Sequence, residues 1–155
     1  MSAQTPSAEN PEVTAKALTV RRARTSDVPA VRRLLDAYVR GGILLDKATV
    51  TLYEDIQEFW VAERDDNAEV VGCGALHVMW EDLAEVRTLA VKPGLKGAGV
   101  GHQLLEKLLQ TARWLGVRRV FLPDLRSGVL RSARLRGDRG DAGRHRCLRR
   151  AAAFL

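Results

Sequence analysis

The chain has 155 residues, 28% of them charged and 46% hydrophobic, with a formal net charge of +6. That length suits one domain with a sizeable core, and no apolar run approaches the roughly 18 residues that would cross a bilayer. Two cysteines, Cys73 and Cys147, are too few for a disulfide framework or a metal set, so a reducing cytoplasm and no bound metal are expected.

The charge is unevenly placed. Residues 123–155 hold nine Arg and three Asp, whereas the remaining 122 residues hold 16 basic and 16 acidic side chains and are neutral. A nucleic-acid reading would therefore rest on this tail alone. The tail has one aromatic residue, Phe154, and no recognisable reader motif, so a nucleic-acid partner is not expected.

Residues 1–17, "MSAQTPSAENPEVTAKA", are polar, lack the apolar core of a signal peptide, and are expected to form a disordered leader. "ALTVRRA" (17–23) alternates apolar and polar residues and predicts a strand. Ser26 or Asp27 can cap the helix that follows, with Pro29 in its first turn. Val28, Val31, Leu34, Leu35 and Tyr38 fall on one helical face, and Gly41 and Gly42 end the helix. "ATVTLYEDIQEF" predicts a second, shorter helix with Leu52, Tyr53 and Ile56 inward. "FWVAER" and "EVVGCGALHVM" predict a hairpin through "DDNA", followed by a strand over 83–92, "LAEVRTLAVK". A glycine-rich loop, a helix from about Val100 to Leu115 and a strand over 117–122, "VRRVFL", complete the pattern. The order predicts an α/β (α+β) domain over 18–122, with a mixed, mostly antiparallel sheet and helices on its faces. His77 and Cys73 share a strand face and are expected in the core. Trp60, Trp80 and Trp114 are expected to serve packing.

"KPGLKGAGVG" (92–101) places four of the 13 glycines in ten positions, between a strand and a helix N-terminus. The first N–H groups of a helix lack intrahelical partners, and glycine lets the backbone wrap an anion closely. A P-loop would require Gly-Lys-Ser/Thr, but Gly101 is followed by His102 and Gln103. A dinucleotide fingerprint would require GxGxxG and a later acidic residue; the spacing differs and residues 113–123 contain no acid.

"LAVKPGLKGAGVGHQLLEKL" resembles the acetyl-CoA loop of the GNAT family of N-acetyltransferases. Lys96 stands at that loop's Gln/Arg position and remains cationic; Gly99 and Gly101 stand at its glycines, and Val91, Lys92 and Pro93 match its Val-x-Pro strand end. "GGILLDKATVTLYEDIQEFWVAE", "VVGCGALHVMWEDLAEVRTLAVKP" and "TARWLGVRRVFL" are similar to the acetyltransferase domain of the N-acetylglutamate synthase branch, over about residues 18–122. The resemblance implies the GNAT fold and acetyl-CoA as co-substrate. It implies acetylation of an amino acid at its α-amino group, with L-glutamate, the first step of arginine biosynthesis, as the expected case. Another small amine or a protein N-terminus is the alternative acceptor. The loop residues Lys96, Gly97, Ala98, Gly99, Val100 and Gly101 would bind the CoA diphosphate through backbone N–H groups. The strand Leu89, Ala90 and Val91 would pair with the pantetheine arm.

For catalysis the resemblance implies Glu85 as general base, acting through water, with the Leu89 N–H as oxyanion donor. Alternation places Glu85, Arg87 and Leu89 on one strand face; a solvated Glu85 paired with Arg87 is the competing reading. Lys47 and Arg87 are the candidate cations for substrate carboxylates. The oligomeric state is not fixed by sequence, and a homodimer stays open.

Beyond Leu122 the family pattern stops: "PDLRSGVLRSARLRGDRGDAGRHRCLRRAAAFL" shows neither strand nor helix period. Its Arg, Gly, Ala and Leu are the composition expected of a frameshift in GC-rich DNA, and a one-base shift permits a translation containing the family's "FF.RHGF" segment, so a frameshifted product is the expectation for 123–155. The expectation is a disordered tail over 123–155, missing C-terminal strands, an unpaired edge on "VRRVFL" and impaired activity.

Overall fold

The computed structural model describes residues 18–40, 47–123 and 130–135, with side-chain placement omitted for Pro123 and residues 130–133. The leader, Gly41 and Gly42, and most of the Arg-rich tail lie outside the described residues.

Six strands form one sheet in chain order: β1 (Leu18–Arg22), β2 (Phe59–Arg64), β3 (Val70–Trp80), β4 (Leu83–Val91), β5 (Arg119–Pro123) and β6 (Leu130–Arg134). All neighbouring pairs are antiparallel except β4 and β5, which are parallel. Helix α1 (Val28–Val39) and the short α2 (Thr49–Glu54) cover one face; α3 (Val100–Trp114) covers the other. The predicted elements are all present, within two residues of their expected ends except for the second helix, which stops at Glu54, five residues before the expected Phe59. Strand β6 is the addition. It lies in the segment expected to lack regular structure and pairs along β5 from Arg119↔Arg134 to Pro123↔Leu130, so the β5 edge is covered. The Leu135 side chain, just beyond β6 and 8% exposed, packs under α3 beside Val120; "LRSAR" carries no strand period of its own, so the pairing shows only in the folded sheet.

The α1 face buries Val28, Val31, Leu34, Leu35 and Tyr38 against Phe59, Val61, Cys73, Ala75 and Ala90, as the helical spacing predicts. Leu52 is buried and Ile56 partly so, but Tyr53 is 46% exposed: the helix ends at Glu54 and a 3-10 turn (Ile56–Glu58) changes the rotation per residue. Asp27 does not cap α1. Its carboxylate accepts the Arg24 N–H at 2.7 Å and receives the Arg21 guanidinium at 2.7 and 3.0 Å. That pairing holds Asp27 below the usual carboxylate range, against the opposing effect of its burial.

The other face packs Leu104, Leu105, Leu108, Leu109 and Ala112 of α3 onto β3 and β4. Gly72 and Gly74 set that distance. A Cβ on Gly72 would lie 2.9 Å from Leu104 Cδ1 and 3.0 Å from Val100 Cγ1; on Gly74 it would lie 3.0 Å from Leu108 Cδ1. "GCG" is thus a helix seat, with Cys73 facing the opposite core. Of the tryptophans expected to pack, Trp60 is partly buried against α3, whereas Trp80 and Trp114 are 73% and 80% exposed.

Candidate active site

The β4–β5 ladder has three rungs: Leu83↔Arg119, Ala84↔Val120 and Glu85↔Phe121. Beyond Glu85, β4 runs on to Val91 with no β5 partner, while β5 continues against β6. The two parallel strands therefore part at Glu85. The β4 edge from Arg87 to Val91 is left facing the gap and leads to the glycine loop.

A bulge shapes this edge. Ala75 pairs with Thr88 and Leu76 with Val86, so Arg87 is an extra residue on β4. This corrects the expectation that Glu85, Arg87 and Leu89 share a face. Ala84 and Val86 pack under α3, which turns Glu85 to the α1 side; after the bulge Leu89 and Val91 pack under α3, and Ala90 joins the α1 core. Simple alternation could not show the extra residue. Leu89 thus contributes a half-buried side chain to the core beneath α3, and any role in the gap falls to its backbone.

The loop fits an anion. Gly94, Gly97 and Gly99 have φ of 93°, 82° and 81°, the left-handed region that favours glycine, and a Cβ on Gly94 or Gly97 would meet nothing within 4 Å. Gly99 is the N-cap of α3 and supplies no side chain to close the helix end. The N–H groups of Lys96, Gly97, Gly99, Val100 and Gly101 donate to no described residue. Ala98 differs from the expectation: its N–H donates to Leu95 O at 3.2 Å and its side chain is buried, so it folds the loop. The Lys96 ammonium lies 5.3 Å from the centre of the Tyr38 ring. The Tyr38 hydroxyl donates to Val91 O, occupying one acceptor position at the end of β4. Tyr38 is distant in sequence but adjacent in space.

Glu85 is the last residue before the strands part, and Arg87 Nε donates to its Oε2 at 3.3 Å. Lys47 Nζ meets Asp55 Oδ2 at 3.4 Å, and its carbonyl accepts from Arg32 of α1. Both candidate substrate cations are thus paired within the chain, at exposures where such pairs are worth about 0–1 kcal/mol and can be exchanged for a ligand carboxylate. His77, expected in the core, is only part-buried: it pairs across the sheet with Glu85, and its Nδ1 lies 2.6 Å from Glu58 Oε1. Cys73 is fully buried, which pushes its thiol up to about 12 and leaves it neutral and inert. Among the described residues no group of three or more His, Cys, Asp or Glu side chains could hold a metal ion. No described helix is long and apolar enough to cross a membrane.

Residues 29–135 match the acetyltransferase (GNAT) family. The chain belongs to that family. An amino-acid acetyltransferase of Mycobacterium tuberculosis is 61% identical over 104 residues, which make up 66% of this chain and 59% of the relative. A Neisseria meningitidis amino-acid acetyltransferase is 33% identical over 112 residues, 72% of this chain but 25% of its own length. The chain therefore spans only part of these relatives. Among solved structures, a M. tuberculosis protein in complex with CoA superposes with a TM-score of 0.65 at 49% identity, covering 85% of this chain and 81% of that one. N-acetylglutamate synthase from Neisseria gonorrhoeae, complexed with coenzyme A and N-acetyl-glutamate, superposes with a TM-score of 0.65 at 31% identity, covering 68% of this chain and 24% of the synthase. The GNAT fold expected from sequence is thus borne out.

Proposed function

We propose that this GNAT domain transfers acetyl from acetyl-CoA to the α-amino group of an amino acid, with L-glutamate the acceptor and arginine biosynthesis the setting. The observation that carries the reading is the parting of β4 and β5 at Glu85, beside a helix N-terminus whose N–H groups donate to no described residue and point to a site for phosphate. In this reading, Lys96, Gly97, Gly99, Val100 and Gly101 hold the diphosphate, and the free β4 edge at Leu89–Val91 pairs with the amide-bearing pantetheine arm. The thioester then lies near Glu85. Glu85 takes a proton from the ammonium through water, the freed amine attacks the acetyl carbonyl, and the Leu89 N–H faces the developing oxyanion. The C–S bond breaks, and the thiolate leaves with the second nitrogen proton. Arg87 and Lys47 exchange Glu85 and Asp55 for the two carboxylates of glutamate.

The CoA-bound and N-acetyl-glutamate-bound relatives support the co-substrate and the acceptor. Calorimetry with CoA, followed by thiol release from acetyl-CoA over a panel of amino acids, tests both. A folded chain that binds no CoA refutes the reading. The pairing of Lys47 and Arg87 within the chain favours a second reading, a less anionic amine as acceptor; faster turnover with a neutral amino acid or an N-terminal peptide would select it.

A further inference from the structure

Glu58 lies in the 3-10 turn between α2 and β2. One of its oxygens, Oε1, is 2.6 Å from His77 Nδ1; the other, Oε2, is buried and has no hydrogen-bond partner among the described residues. A buried carboxylate oxygen without a donor is costly, and positive charge on a neighbouring group offsets that cost. His77 is the neighbouring group. It sits on β3 opposite Glu85, on the same sheet face, and its side chain is 29% exposed. Directly opposed residues in an antiparallel pair have Cβ atoms about 5 Å apart, so the imidazole and the Glu85 carboxylate are within reach of each other or of one bridging water. The groups facing His77 are Glu58 from the 3-10 turn and Glu85 from β4, with Arg87 one step further on the bulge.

We infer that Glu58 and His77 form a proton-relay dyad behind Glu85, carrying the substrate proton from the cleft to solvent. This rests on the acetyl-transfer reading above. Glu58 Oε1 accepts the Nδ1–H and fixes the ring in the tautomer whose Nε2 has a free lone pair. Glu85 takes the ammonium proton and passes it to Nε2. The ring then bears both protons, its charge held by the Glu58 carboxylate, and sheds the Nε2 proton to water through its exposed edge. Glu85 returns to its basic form for the next turnover. The carboxylate–imidazole pair does for Glu85 what a fixed orienting acid does for any catalytic histidine, but here both members are positioning residues that act through Glu85.

The test uses the full chain, the variants His77→Ala and Glu58→Gln, and wild type. In steady-state acetylation of glutamate, both variants should lose at least about ten-fold in kcat at neutral pH, part of the 10²–10⁴ that positioned acid–base groups contribute, while KM for acetyl-CoA stays within about two-fold. Added imidazole should restore rate to His77→Ala. The ¹⁵N spectrum of the His77 ring should show the Nδ1–H tautomer in wild type and a mixture in Glu58→Gln, a readout that needs no turnover. Wild-type kcat and pH profile in both variants overturn the relay. So does an Nε2–H tautomer, or a rate loss that imidazole does not restore, which would make His77 structural; Glu58→Gln decides the matter if His77→Ala does not fold. A wild-type chain that binds CoA but acetylates no amine sinks the acetyl-transfer reading itself and the relay with it, whatever the tautomer.

Discussion

Gly72 couples the core to the anion site, and Gly72→Ala exposes that coupling. The added methyl would sit 2.9 Å from Leu104 Cδ1, 3.0 Å from Val100 Cγ1 and 3.4 Å from Ala90 O. Carbon pairs rest about 3.5–4.0 Å apart, so about 0.5–1 Å must be found. Leu104 is fully buried and Val100 is 1% exposed and stiff at χ1, so neither can swing into open space. The relaxation left is movement of the N-terminal turn of α3 away from the sheet. Overpacking of this kind costs about 1–3 kcal/mol, and the lower entropy of the unfolded alanine chain returns about 0.4–1 kcal/mol. A net loss of about 1–2 kcal/mol lowers Tm by roughly 2–8 °C at this chain length. The same movement displaces the Val100 and Gly101 N–H groups by a distance comparable with the whole 2.7–3.2 Å range of a good hydrogen bond. CoA affinity should therefore fall about ten-fold, equivalent to about 1.4 kcal/mol. Gly116→Ala is the control. Gly116 ends α3 at φ 82°, and a methyl added there would meet nothing within 4 Å, so alanine costs about 1–2 kcal/mol of backbone strain far from the loop. Differential scanning calorimetry and CoA titration on both variants decide the matter. Equal CoA affinity in the two at similar Tm refutes the idea that Gly72 sets the height of the helix N-terminus.

Glu85→Gln should lower kcat by about 10²–10⁴-fold while leaving CoA binding near wild type, read by stopped-time thiol release and calorimetry; an unchanged kcat removes Glu85 as base. Asp27→Asn should cost about 2 kcal/mol in urea unfolding at pH 7, because it takes a charged partner from Arg21. Asp27 is depressed in the folded chain, so its contribution is present above the ordinary carboxylate pKa and is lost as pH falls through the folded value. The gap between wild type and variant should accordingly close below about pH 4, and a gap that persists at pH 2 contradicts the assignment. Cys73, a buried thiol raised to about 12, should resist alkylation at pH 8 in the folded chain and react on unfolding, as peptide mapping of the Cys73 fragment would show; rapid native labelling would contradict its burial.

Local rules were enough for the elements and for the anion loop. The spacing of Val28, Val31, Leu34, Leu35 and Tyr38 fixed the buried face of α1, and Gly94, Gly97 and Gly99 marked a loop of left-handed turns, since tolerance of positive φ belongs to glycine itself. What alternation could not supply was the face of each β4 residue. The bulge at Arg87 exists only in the register between β3 and β4, so Glu85 and Leu89 part company through pairing with a neighbouring strand. The same holds for β6, which is a strand because β5 offers it an edge and not because of any period of its own, and for Tyr38, His77 and Glu58, which reach the site only through folding. Conformational preference is local and was written in the chain; cross-strand register and the meeting of distant side chains are long-range, and only the packed sheet decided them.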